Sequence, residues 1–95
     1  MKFGKEIRQY RLKQGITLTQ FAKDLGISKT YLSKLERGEM SPPSVELIQK
    51  MGEKLGFDGD LMALRVGKLP KWMRDVIMTN APYMLSAFQE LEEQE

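Results

Sequence analysis

Apolar side chains recur at helical spacing along most of this chain, and glycines interrupt the recurrence at helix-length intervals. Gly15, Gly26, Gly38, Gly56 and Gly67 each follow an apolar-periodic run, where a residue free to turn left-handed is expected to close a helix. The pattern predicts five glycine-closed helices and two more beyond them. The first runs from about Lys2 to Gln14 with Phe3, Ile7 and Tyr10 inward. The second spans Thr17 to Leu25, with Thr17 as N-cap and Phe21, Ala22 and Leu25 as its buried stripe. Ser28 caps the third. Met40-Ser41-Pro42-Pro43 reads as a rigid connector, because two consecutive prolines cannot sit inside a helix, and Ser44 then caps a fourth helix carrying Val45, Leu47, Ile48, Met51 and Leu55. Gly52 is expected to weaken that helix by about 1 kcal/mol relative to alanine.

The fifth helix is short, Asp58 to Val66. Gly67-Lys68-Leu69-Pro70 turns the chain into a sixth over Lys71 to Met78, which Asn80-Ala81-Pro82 breaks. Tyr83 to Glu92 then forms a seventh, with Met84, Leu85, Phe88 and Leu91 at helical spacing. No stretch of strict alternation suggests a strand, so the expected fold is all-α. With 95 residues there is room for one core. It is expected in residues 1–67, with residues 68–95 as a helical extension.

Composition acts mainly by subtraction. The absence of cysteine and histidine removes disulfides, thiol chemistry, imidazole bases and the usual nitrogen or sulfur metal ligands. Asp58 and Asp60 form a carboxylate pair on paper, but they stand where a helix N-cap and first turn favour acids. Neither catalysis nor a cofactor is expected. The longest apolar runs are three or four residues, far short of the roughly 20 needed to cross a bilayer, and Met1-Lys2-Phe3 does not lead into a signal-peptide core. A soluble cytoplasmic chain, with no membrane partner, is the expectation.

Net charge is only +2, yet it is unevenly distributed. Residues 1–38 carry nine basic and three acidic side chains, net +6, and the remainder carries six basic and ten acidic, net −4. A basic half suits a polyanion, and an acidic half keeps the rest of the molecule away from it.

The basic half contains GISKTYLSKLERG, residues 26 to 38. At about 100° per residue, Ser33, Arg37, Thr30 and Lys34 fall roughly 40°, 80°, 100° and 140° from Lys29, so five polar or cationic groups share one face. Leu32 and Leu35 point the opposite way, with Glu36 beside them. Such a helix can lie on a core by its apolar edge and present donors of a width that suits a major groove. A short helix ending at Leu25, a tight turn at Gly26-Ile27 and a helix capped by Ser28 form a helix-turn-helix arrangement.

At this point the string TLTQFAKDLGISKTYLSKLERGEMSPPS resembles the helix-turn-helix region of the Cro and phage-repressor type, also called the xenobiotic-response-element family. The resemblance rests on Ala22, Gly26-Ile27-Ser28, Tyr31-Leu32, Leu35-Glu36-Arg37-Gly38 and the following proline pair. It covers roughly Phe3 to Leu64 and implies a five-helix lambda-repressor-like DNA-binding domain, here followed by two additional C-terminal helices. It further implies that Lys29, Thr30, Ser33 and Lys34 touch base edges, that Ser28, Tyr31 and Arg37 hold phosphates, and that Arg11 and Glu36 form a semi-buried structural ion pair. The geometric reading places Tyr31 between the two faces, as either a phosphate ligand or a core-edge ring. One position departs from the pattern. Many members hold a phosphate with a glutamine at the start of the second helix, where this chain has Leu18, so Thr17, Thr19 or Gln20 is expected to replace it.

The C-terminal quarter is rich in large apolar residues. Trp72, Met73, Val76, Ile77, Tyr83, Met84, Leu85 and Phe88 either complete the monomer core, form a homodimer interface, or make a groove for a protein effector such as a toxin or antirepressor. The leading expectation is a repressor that binds a two-fold symmetric operator on double-stranded DNA as a homodimer through residues 28–37. The alternative is a protein-interaction module acting mainly through the C-terminal helices.

Overall fold

The computed structural model describes residues 2–94, and among them are seven α-helices and no strand. These are α1 (Phe3–Lys13), α2 (Leu18–Leu25), α3 (Lys29–Glu36), α4 (Val45–Leu55), α5 (Gly59–Arg65), α6 (Lys71–Thr79) and α7 (Ala81–Glu93). The expected all-α fold is observed. Each of the five helix-closing glycines takes a left-handed φ between 70° and 84°.

The core is formed by α1 to α5. α1 and α2 both pack on α3, α4 packs on α5, and α2 also touches α4. Phe21, Leu32, Ile48, Met51 and Ala63 are completely or almost completely buried at the centre. Ile7, Leu25, Leu35 and Leu55 surround them. Two side chains cross between helices to satisfy helix ends. Lys50 Nζ donates to the Leu25 carbonyl at 3.3 Å, and Gln14 Nε2 donates to the Leu55 carbonyl at 3.2 Å. Each occupies a carbonyl that a helix C-terminus otherwise leaves to water.

Three local expectations need correction. Tyr10 does not point inward; it lies at the rim, 36% exposed, with its ring 5.0 Å from that of Phe57. Asn80-Ala81-Pro82 is a narrower break than the sequence suggests, because Asn80 alone separates α6 from α7 and Pro82 fits the first turn of α7, where a proline loses no hydrogen bond. Gly52 is not merely a weak point in α4. A Cβ there would lie 2.6 Å from the Phe57 carbonyl oxygen, so this glycine allows the turn into α5 to fold back on α4.

α6 and α7 form a hairpin that packs mainly on itself, and neither contains a buried residue. Its base is fixed by fully buried Pro70 and by Trp72 Nε1, which donates to Asp60 Oδ2 at 2.9 Å. The molecule measures 46 × 26 × 22 Å, with a radius of gyration of 15.9 Å. A compact chain of this length would have a radius of about 12 Å, so the hairpin projects from the five-helix body. Among the described residues no helix is long and apolar enough to cross a membrane.

Candidate nucleic-acid interface

The turn between α2 and α3 follows from local chemistry. Thr17 Oγ1 accepts the Gln20 N–H at 3.1 Å and starts α2. At its other end the Gly26 N–H donates to the Lys23 carbonyl and the Ile27 N–H donates to the Ala22 carbonyl, at 3.1 and 3.0 Å. This pair of bonds needs a left-handed residue between them, and Gly26 has φ 71°. Two residues later Ser28 Oγ accepts the Tyr31 N–H at 3.0 Å and starts α3. The reversal is complete within three residues, and Leu32 and Leu35 then seat α3 in the core.

Burying that edge turns the opposite side of α3 outward. Lys29, Thr30 and Lys34 are exposed, and Ser33 is half-buried. Lys29, Thr30, Ser33 and Arg37 line one shallow depression with Leu18, and Lys34 stands outside its lining. Tyr31 is half-buried and packs against the core, which places its ring at the edge between the two faces.

The groups considered for phosphates differ in their present partners. Thr17 and Ser28 accept backbone N–H bonds as caps, which leaves each hydroxyl hydrogen free to donate outward. Thr19 is exposed. The Gln20 amide donates to Asp24 Oδ1 at 2.8 Å, and Arg37 is ion-paired with Glu39, so both must exchange an acid for any phosphate they hold. Leu18 forms an apolar wall of the depression and brings no donor.

α3 is fixed from behind by α1. Arg11 Nε and Nη2 donate to the two carboxylate oxygens of Glu36, each at 2.8 Å, and Nη1 donates to the Ile16 carbonyl at 2.8 Å. Both side chains are buried, and the hydrogen bonds that Arg11 donates to Glu36 outweigh the cost of burial and raise the Arg11 pKa above its ordinary value. Gly4 brings the two helices together: a Cβ there would lie 1.9 Å from the Leu35 carbonyl oxygen. Sequence reasoning missed this contact and the Arg37–Glu39 pair. The acid two residues beyond Arg37 was a visible signal for the second, whereas Gly4 in the first turn of a helix gave none.

Asp58 caps α5 by accepting the Leu61 N–H at 3.0 Å. Asp60 accepts Gln49 Nε2 at 2.9 Å as well as Trp72, and these two bonds, Gln49's the larger effect, hold its carboxyl below the usual range. The two acids therefore serve helix ends and helix contacts. On the hairpin Trp72, Val76, Tyr83, Leu85 and Phe88 are exposed, and Met73, Ile77 and Met84 are half-buried.

A helix-turn-helix family model matches residues 7–61. Curated relatives include two HTH-type transcriptional regulators of Bacillus subtilis. SlrR is 44% identical over 52 residues, 55% of this chain and 34% of SlrR. SinR is 36% identical over 52 residues, 55% of this chain and 47% of SinR. The chain thus spans between a third and a half of the length of these relatives. Among solved structures, SinR, a master regulator for biofilm formation, in complex with DNA matches 63% of this chain and 95% of that chain, with TM-score 0.58 and 32% identity. A complex of SinR and SinI proteins matches 98% of this chain and 99% of that chain, with TM-score 0.58 and 20% identity, a likeness of fold.

Proposed function

The chain belongs to the helix-turn-helix family of transcriptional regulators, of the Cro and phage-repressor type, and from that premise we propose that it is a cytoplasmic repressor that occupies a DNA operator through α3. Lys29, Thr30, Ser33 and Lys34 read base edges in the major groove. Thr17, Thr19, Gln20, Ser28, Tyr31 and Arg37 hold the phosphates on either side. The observation that carries this reading is the division of α3 into a buried leucine edge and an outward donor face, fixed by the Arg11–Glu36 pair. The DNA-bound structure of SinR supports it. Lysine donates to guanine acceptors, and hydroxyls donate to or accept from either base of a pair, so the set is chemically suited to major-groove edges.

The projecting hairpin supports a homodimer. A two-fold pair would place two α3 helices about 34 Å apart, one turn of DNA, over inverted half-sites. A second reading rests on the same exposed apolar side chains: a monomeric protein would use them to take up a helix from a protein effector. Selection from a pool of random duplexes tests the proposal. Recovered sites with two-fold symmetry and half-sites about 10 base pairs apart are expected. Recovery of no enriched sequence would count against it.

A further inference from the structure

Arg37 borders two surfaces. It lines the depression on the outward side of α3 and also a larger groove, about 830 Å³, between the start of α1, the end of α3 and the end of α5. Close packing of Gly4 against the Leu35 backbone brings the first two of these together. Five cations line the groove: Lys2, Lys5, Arg8, Arg37 and Arg65. The acid that lines it, Glu36, is occupied on both oxygens by Arg11. Glu39 holds Arg37, whereas Lys2, Lys5, Arg8 and Arg65 have no ion pair among the described residues.

We infer that this groove is a second phosphate-holding surface, which grips the duplex backbone beyond the base pairs that α3 reads. The inference rests on the DNA-binding reading above. Lys2 at the N-cap of α1, Lys5 and Arg8 in α1 and Arg65 in α5 are all exposed, and together they form a concentrated positive surface suited to a polyanion. Duplex DNA presents one negative charge per about 1.7 Å of its axis, so a backbone lying on α3 and Arg37 has further phosphates to offer to the adjoining groove. The glutamates of α7, Glu90, Glu92 and Glu93, are not among its lining residues. Contacts of this kind add affinity and salt dependence without sequence preference.

The test compares the full chain with a Lys5→Ala/Arg8→Ala/Arg65→Ala variant, its fold checked by circular dichroism. Anisotropy titrations use a labelled random duplex and a selected operator across a salt series. The slope of log affinity against log salt should become shallower by about 2 to 3, given about 0.9 per phosphate contact. The loss should be equal on both duplexes, with base preference kept. A parallel Lys29→Ala variant should instead change base preference. An unchanged slope in the triple variant, with the wild type binding DNA normally, overturns the groove inference and leaves the α3 reading standing. Failure of the wild type to bind either duplex overturns both. A decaglutamate probe that binds the wild type and is lost in the triple variant, with the DNA slope unchanged, would assign the groove to an acidic protein partner and also overturn the inference.

Discussion

Arg37 is held by Glu39 in the free protein, and the DNA reading requires that bond to be exchanged for a phosphate. Replacing the acid by Glu39→Gln removes the competitor and a negative charge close to the backbone. Exposed pairs of this kind contribute about 0.2 to 1 kcal/mol, so affinity for duplex DNA should rise by that order, as read by anisotropy at fixed salt. Weaker binding would show that Glu39 positions Arg37 instead of restraining it. Residue by residue, the outward set on α3 was legible because 100° steps and two leucines define an inside and an outside. The occupancy of Gln20 and Arg37 was not, because helical spacing states which side chains are neighbours and leaves open whether they bond.

Among the elements, the α1–α3 contact and the hairpin base carry the most specific consequences. Gly4→Ala would drive a Cβ into the Leu35 carbonyl. Backbone cannot swing aside as a side chain can, so overpacking of about 2 kcal/mol or more is expected. Differential scanning calorimetry should show a Tm loss of about 10 °C; an unchanged Tm would mean that α1 slides freely on α3. At the hairpin base, hydrogen bonds from Gln49 and Trp72 favour the charged form of Asp60 and hold its pKa below the ordinary carboxylate value. A lowered carboxyl contributes stability that is complete above the ordinary value and is lost as pH falls through the lowered one. The fluorescence of Trp72, the single tryptophan, should therefore show an acid step below the ordinary carboxylate range that Asp60→Asn abolishes. A step that persists in the variant would assign it to another group. The helices themselves were readable from apolar spacing, caps and closing glycines. The Asp60 link was not, because Trp72 lies twelve residues away on a different helix and no local pattern joins them.

For the molecule as a whole, the projecting apolar hairpin is the feature that most needs a partner. On the homodimer reading, analytical ultracentrifugation should find a dimer for the wild type and a monomer for Tyr83→Ser/Phe88→Ser, whose two positions are exposed and whose fold should survive. A monomeric wild type would favour the effector reading. The charge asymmetry that points to a polyanion was legible in the sequence, and so was the apolar excess of the last helices. Their separation from the core was not, since periodicity marks a buried stripe without saying whether the same chain or another covers it. The central claim is that α3 reads bases, and the most direct measurement is the base preference of Lys34→Ala beside that of the wild type at each operator position. The account predicts that discrimination relaxes by about 1 to 3 kcal/mol at individual positions and is kept elsewhere. A uniform loss across all sequences would contradict it and leave Lys34 a phosphate contact.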